Sequence, residues 1–242
     1  MKQILFDFYL CPMQIKNVKY ILTDIEGTTT SVQFVYAHLF PYFREHIQEL
    51  KQLTNDTEIQ EAFKKTVELA DSLEGLKIRS VDEVIETLLR WSNEDRKVTP
   101  LKTVQGILWK KGYESGEIKG HVYADVRPSF QTWKDKGFQM GVFSSGSIAA
   151  QKLLFGFSEA GDLCPYFSHF FDTTTGGKKE EETYSKIAEE INFKPSEILF
   201  LSDIVEELIA AAAAGFQTVQ LVRSGTVANW KNTISDFTEI EL

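Results

Sequence analysis

Asp24 and Glu26 stand one residue apart in KYILTDIEGTTT (19–30), directly behind the apolar run of Tyr20, Ile21 and Leu22. Two carboxylates at the end of a buried strand repel each other, so at least one needs a proton or a cation. Mg2+ meets that need through a few hard oxygen ligands, often including phosphate oxygens. Gly27 and the three threonines behind it offer a tight turn with available backbone N–H groups. In phosphate chemistry Asp24 is the natural nucleophile, forming an aspartyl-phosphate that water hydrolyses. Glu26 would protonate the leaving oxygen and later activate the water. Alone, the pattern equally describes an ordinary turn with a solvated acid pair.

Three stretches downstream bear on that choice. Ser144, Ser145, Gly146 and Ser147 follow an apolar run and open a helix-like segment, where hydroxyls and N–H groups can cradle a phosphate. They also read as a plain serine cap. Lys178 would neutralise a phosphate and the charge developing in its transfer. A lysine in a KKEEE run is more often a solvated helix face, and Lys179 competes for the role. Asp203 ends the apolar run ILFLS, where a sheet opens to ligand, and would be a further Mg2+ ligand beside Asp24 and Glu26. Glu206 and Glu207 lie close enough in sequence for either to support the metal shell.

The elements that must position these residues alternate. FQMGVFSS, FSHFFDTT, EILFLSD and QTVQLV read as strands, the last being the final one expected. SIAAQKLLFGF, KKEEETYSKIAEEIN and IVEELIAAAAAG read as the helices between them. Strands alternating with helices imply an α/β fold with a Rossmann-like parallel sheet, whose ligands bind beyond the strand C-termini. Every polar stretch above falls at such an end. Between the first strand and the rest runs a helical block. Phe34, Leu39 and Phe43 open it at helical spacing, with Pro41 a break or first turn. EIQEAFKKTVELADSL, SVDEVIETLLRWSNED and TPLKTVQGILWKKGYESG follow, with Ser80 and Thr99 expected as caps. The expected division is an α/β core over 14–32 and 120–242, a helical cap inserted over 33–119, and an extension of unassigned role over 1–13. Met13 is an alternative start.

The chain has 242 residues, 43% hydrophobic and 25% charged, and a formal net charge of −9. That balance describes an ordinary globular protein and argues against a general affinity for nucleic acid or anionic membrane. Two cysteines, Cys11 and Cys164, fit a reducing cytoplasm better than a disulfide framework. No apolar run approaches the roughly 20 residues of a membrane span. The opening MKQILFDFYLC is interrupted by Asp7 and lacks a cleavage signature.

The ordered set D-x-E-G-T, S-S-G-S, K and L-S-D resembles the haloacid dehalogenase-like superfamily of aspartate-based phosphotransferases. With DIEGTTTSVQFVYAHLFPYF, GHVYADV, FSSGSIAAQKLLFGFSEAGDL, FDTTTGGKKEEETYSKIA and ILFLSDIVEEL, the chain is similar to the enolase-phosphatase (acireductone synthase) family of methionine salvage. The similarity covers all but the first dozen residues. It implies a cytoplasmic monomer with one Mg2+ per subunit and a cap over the site. The implied substrate is the small phosphorylated diketone 2,3-diketo-5-methylthiopentyl-1-phosphate, enolised and then dephosphorylated to the acireductone. Matching positions make Asp24, Glu26 and Asp203 the metal residues, and Ser144, Ser145 and Lys178 the substrate contacts. Tyr36-Ala37 stands where the family often has a charged pair, and Glu207-Leu208-Ile209 where E-L-D is frequent. The alternatives are another small-molecule phosphatase of the superfamily, or a phosphorylation-sensing module without turnover.

Overall fold

The computed structural model describes residues 13–242. The apolar opening with Asp7 and Cys11 lies outside them. Contacts within the chain group it into two units.

The first unit takes the chain up to Ser31, with 122–146 and 163–242. Its strands are β1 (Met13–Gln14), β2 (Tyr20–Thr23), β3 (Gln139–Phe143), β4 (His169–Phe171), β5 (Ile198–Ser202), β6 (Gln217–Leu221), β7 (Thr233–Ile234) and β8 (Ile240–Glu241). The main sheet has the order β4-β3-β2-β5-β6-β7 and every pairing in it is parallel. β2 and β5 are buried along their whole length, as strands covered on both faces must be, which is why they read as unbroken apolar runs. Tyr20 and Leu22 face a core shared with Phe143, Phe200, Tyr184, Ile187 and Leu208. From β2 the chain runs outward to β3 and β4, then crosses back to β5 and continues through β6 to β7. The order therefore reverses between β2 and β5, and ligands bind at such switch points in open parallel sheets.

This is the expected α/β fold, with differences in its details. QTVQLV is not the last strand: β7 pairs parallel with β6, and β8 pairs parallel with β1. Strands of two residues leave no periodicity to read. Met13, placed in the extension by sequence, belongs to that β1–β8 ladder. A helix over Val126–Asp135 lies between the helical block and β3, burying Val126, Phe130 and Trp133. Lys178 does not open a helix, because the helix behind it begins at Glu181.

The second unit takes Val32–His121 and Ser147–Asp162, so residues 147–162 join the helical unit expected only over 33–119. Its helices are α1 (Val32–Phe34), continued through a wide turn over Val35–Leu39 into α2 (Phe40–His46), then α3 (Thr57–Glu74), α4 (Val81–Asn93) and α5 (Thr99–Ser115). In chain order α6 is Val126–Asp135 of the first unit, and α7 (Ile148–Gly156) returns to the second. α7 packs on α5. Gly120 lies so close to the Leu154 carbonyl that a Cβ there would overlap it, and its N–H donates to the Phe157 carbonyl at 2.9 Å. Asp56 caps α3 by accepting from Glu58 and Ile59 N–H at 2.9 and 3.1 Å, and Ser80 caps α4 through Glu83 N–H at 3.2 Å. Such caps contribute about 1 kcal/mol each. Thr99 does not cap α5. It is already the first helical residue, since the Val98 carbonyl accepts Lys102 N–H, the donor a Thr99 cap would need.

Candidate active site

Asp24 follows the last residue of β2 and is 3% exposed. Its N–H donates to the Leu201 carbonyl of β5 at 2.8 Å, which ties it to the sheet. The turn behind it closes on one atom, the Ile25 carbonyl, which accepts N–H from Thr28, Thr29 and Thr30. The Thr23 hydroxyl donates to the Asp24 carbonyl at 2.9 Å, as the Thr29 hydroxyl does at 3.3 Å. Thr28, Thr29 and Thr30 are fully buried. Gly27 sits at φ +76°, in the left-handed region that costs other residues energy. A Cβ there would also overlap the Asp203 carboxylate. The glycine thus lets the β2 turn and the acid beyond β5 approach each other.

Lys178 is 8% exposed. Its Nζ lies 2.6 Å from Asp24 Oδ1 and 2.7 Å from Glu207 Oε2. The Tyr184 hydroxyl donates to the Lys178 carbonyl at 2.6 Å, fixing the turn that carries the lysine. Asp172 steadies the start of that turn, accepting from Thr174 N–H and hydroxyl at 2.9 and 2.6 Å. Lys179 is exposed, so the structure separates the two rivals. Burial opposes the charge on Lys178, but the Asp24 and Glu207 carboxylates outweigh it and hold the ammonium above its ordinary value. Glu207 also accepts from the Ser202 hydroxyl at 2.9 Å. Glu206 is exposed, so of the two glutamates only Glu207 enters the cluster.

The Ser144 hydroxyl donates to Glu26 Oε2 at 3.1 Å and accepts from Gly146 N–H at 3.1 Å. Ser145 is on the exposed side of the same loop, and Ser147 caps α7 through Ala150 N–H. Burial and the Asp24 charge push the Glu26 carboxyl up, with Lys178 pulling the other way. Asp203 and Glu207 are each pushed up to about 7, by burial first and the Asp24 charge second. Asp203 Oδ1 is buried without a hydrogen-bond partner, while the residue's carbonyl accepts from Gln220 Nε2 at 3.0 Å.

Four carboxylates, Asp24, Glu26, Asp203 and Glu207, therefore share one ammonium at the switch point of the sheet. An aspartate nucleophile candidate at the end of the central strand, a lysine against it and a second aspartate beyond the neighbouring strand are the marks of a haloacid dehalogenase-like hydrolase, and residues 18–215 match that family. Enolase-phosphatase E1 of a Picosynechococcus species is 49% identical, over 88% of this chain and 92% of its own length. That of Pseudomonas fluorescens is 48% identical over 93% and 98%. A crystal structure of the UTR4 protein of Saccharomyces cerevisiae superposes with a TM-score of 0.75 at 33% identity, over 90% of this chain and 98% of that one. The chain belongs to the enolase-phosphatase family of the haloacid dehalogenase-like hydrolases.

Phosphatases of this class generally use Mg2+, and the donor set suits it. Among the described residues no three acid, imidazole or thiol side chains form a closed metal cage. Mg2+ asks for less: one or two carboxylates, substrate phosphate oxygens and retained waters. The buried unpartnered Asp203 oxygen, against the turn that carries Asp24 and Glu26, is an acceptor that a hard cation satisfies. Ser144 takes Glu26 Oε2 and Lys178 takes Asp24 Oδ1, which leaves each of those carboxylates a second oxygen to offer such a cation beside Asp203.

Sequence reasoning did not single out Ser202, Tyr184, Asp125 or Arg223. Asp125 lies in the GHVYADV stretch that carries the family resemblance, a signal that pointed to it. Arg223 follows the strand QTVQLV with nothing in its surroundings to mark it.

Proposed function

We propose that the chain converts 2,3-diketo-5-methylthiopentyl-1-phosphate to the acireductone 1,2-dihydroxy-3-keto-5-methylthiopentene, as an enolase-phosphatase of methionine salvage acting in the cytoplasm as a monomer with one Mg2+. The single observation carrying the reading is the bond from Lys178 to Asp24, buried beside the unpartnered Asp203 oxygen. It supports a site built to receive a phosphate on Asp24.

The phosphatase step follows from the side chains. A free Asp24 oxygen attacks phosphorus, an Asp24–phosphorus bond forms, and the bond from phosphorus to the substrate oxygen breaks. Glu26, whose carboxyl is pushed up by burial and by the Asp24 charge, gives a proton to the departing oxygen. Water then attacks phosphorus, returns a proton to Glu26, and frees Asp24 and inorganic phosphate. Lys178 holds the phosphoryl oxygens and balances the charge that spreads over them. Ser144 and Ser145 orient the substrate, Ser144 also aligning Glu26. When bound, Mg2+ supplies Lewis-acid polarisation of carbonyl and phosphoryl oxygens alike, which lets one site serve both reactions. Among the described residues no helix is long and apolar enough to cross a membrane.

Incubating the protein with the diketo phosphate and Mg2+ tests the reading. Phosphate release with formation of the acireductone is expected, and EDTA should stop it. Release at the same rate in EDTA removes the metal from the reading. Faster turnover of an unrelated phosphate in a substrate panel replaces the substrate.

A further inference from the structure

Arg223, just after β6, is 7% exposed and lies beyond the 18–215 span that matches the general hydrolase family. Its guanidinium makes four hydrogen bonds. Nη1 and Nη2 donate to the two Asp125 carboxylate oxygens at 2.9 and 2.7 Å. Nη1 also donates to the Ser235 carbonyl at 3.0 Å. The ring of Tyr123 lies 4.2 Å from its centre on one side and that of Phe237 5.2 Å away. The inner donor, Nε, reaches the Thr28 carbonyl at 3.1 Å. Thr28 belongs to the turn that carries Asp24, Glu26 and Gly27. The neighbouring carbonyl, Thr29, accepts Tyr123 N–H at 3.0 Å, and Asp125 Oδ2 accepts Phe237 N–H at 2.8 Å. The nucleophile turn is thus gripped from outside by two adjacent carbonyls, and the grip is aimed by Asp125.

We infer that Arg223, held in its fork by Asp125, is a positioning residue for the reaction, fixing through the Thr28 carbonyl the turn that presents Asp24 and Glu26. The inference rests on Asp24 being the nucleophile. A planar fork with donors on three sides suits this place. An ammonium on a flexible stem cannot pair with a carboxylate in two bonds and reach a third partner at a set angle. The Thr28 hydroxyl is buried without a partner, so the side chain of that residue adds no hydrogen bond of its own to hold the turn. Reaction geometry is sensitive to displacements of about 1 Å, which cost on the order of 100-fold in rate.

The test compares wild type, Arg223→Lys, Asp125→Asn and Asp24→Asn, assaying Mg2+-dependent phosphate release from the diketo phosphate well below each melting temperature. Arg223→Lys keeps the positive charge and Asp125→Asn keeps the shape. Both are expected to lose roughly 10- to 100-fold in kcat while KM moves less than about threefold, because Lys178 and Ser144 are untouched. A merely structural role would lower the melting temperature and leave kcat of the folded fraction alone. Wild-type kcat in folded Arg223→Lys and Asp125→Asn, with Asp24→Asn inactive, overturns the positioning role only. Full activity in Asp24→Asn overturns the assignment of the nucleophile beneath it. Failure of both clamp variants to fold also counts against the inference, because the contact then holds the fold and does not tune the turn.

Discussion

Lys178 pairs with Asp24 and Glu207 through one ammonium, so removing it leaves buried acids without compensation. Lys178→Met is expected to reduce phosphate release at least about 100-fold, measured as inorganic phosphate at saturating Mg2+. The same crowding sets a pH dependence. Asp203 and Glu207 release their protons only near 7 in the folded protein, and near 4 once unfolded. Between those values the folded state binds more protons, and stability falls as pH rises. The metal-free protein should therefore melt at a higher temperature at about pH 5.5 than at about pH 8. Mg2+, which competes with those protons for the acids, should raise the melting temperature more at pH 8. Differential scanning fluorimetry with and without Mg2+ checks both signs, and a flat profile removes the idea that these carboxylates strain each other. Much of this cluster is legible in the chain, because Asp24, Glu26, Ser144 and Asp203 each follow an apolar strand. What is not legible is which of two adjacent residues turns inward. The family resemblance selects Lys178 over Lys179, but Glu206 and Glu207 differ only in the direction their backbone gives them, and that choice stays open in the sequence.

Turns and helices carry the next level of constraint. The β2 turn needs a glycine at 27 both for its left-handed φ and for the space taken by the Asp203 carboxylate. Gly27→Ala is expected to cost about 1–2 kcal/mol from the backbone alone. It should also push Asp203 from its place, so that Mg2+ no longer raises the melting temperature while circular dichroism stays native. In the helical unit, Glu74 at the end of α3 accepts the indole N–H of Trp91, itself fully buried, at 2.7 Å and pairs with Arg90 and Arg96. Glu74→Ala leaves the indole without its acceptor and should cost about 1–2 kcal/mol, while Glu74→Gln, which keeps an acceptor, costs less in the same denaturant titration. Helices α3, α4 and α5 could be read because apolar residues recur on one face. α6 carries that spacing too, in Val126, Phe130 and Trp133, but Pro128 in its first turn disguises it. No local pattern could assign α7 to the helical unit, since contacts made with α5 across a long stretch of chain decide it. The Thr99 cap fails for a similar reason: the choice between a hydroxyl and the Val98 carbonyl as acceptor is made by backbone geometry.

Across the whole molecule, the sheet order explains why acids 179 residues apart in sequence, Asp24 and Asp203, come to one place. They follow the two strands between which the winding reverses, where no crossover helix covers the strand ends. Past residue 215, where the match to the general hydrolase family ends, the chain forms β6, β7 and β8, and the segment between β7 and β8 returns to the site's support. Phe237 is 1% exposed; its ring lies 5.2 Å from that of Trp133 and 6.1 Å from that of Phe130. The same residue faces the Arg223 guanidinium and donates its N–H to Asp125. Phe237→Ala empties a core position, which typically costs about 3–5 kcal/mol. If the carboxy-terminal segment supports the nucleophile turn, the loss should not end with stability. Assayed well below its melting temperature, Phe237→Ala should show a kcat deficit like that of Arg223→Lys. Ile198→Ala provides the contrast. Ile198 is equally buried but begins β5, at the end of the strand away from Asp203, so its replacement should lower the melting temperature with kcat preserved. Equal kcat losses in the two variants would mean that the site senses general loosening of the core, and a wild-type kcat in Phe237→Ala would confine the segment to a role in stability.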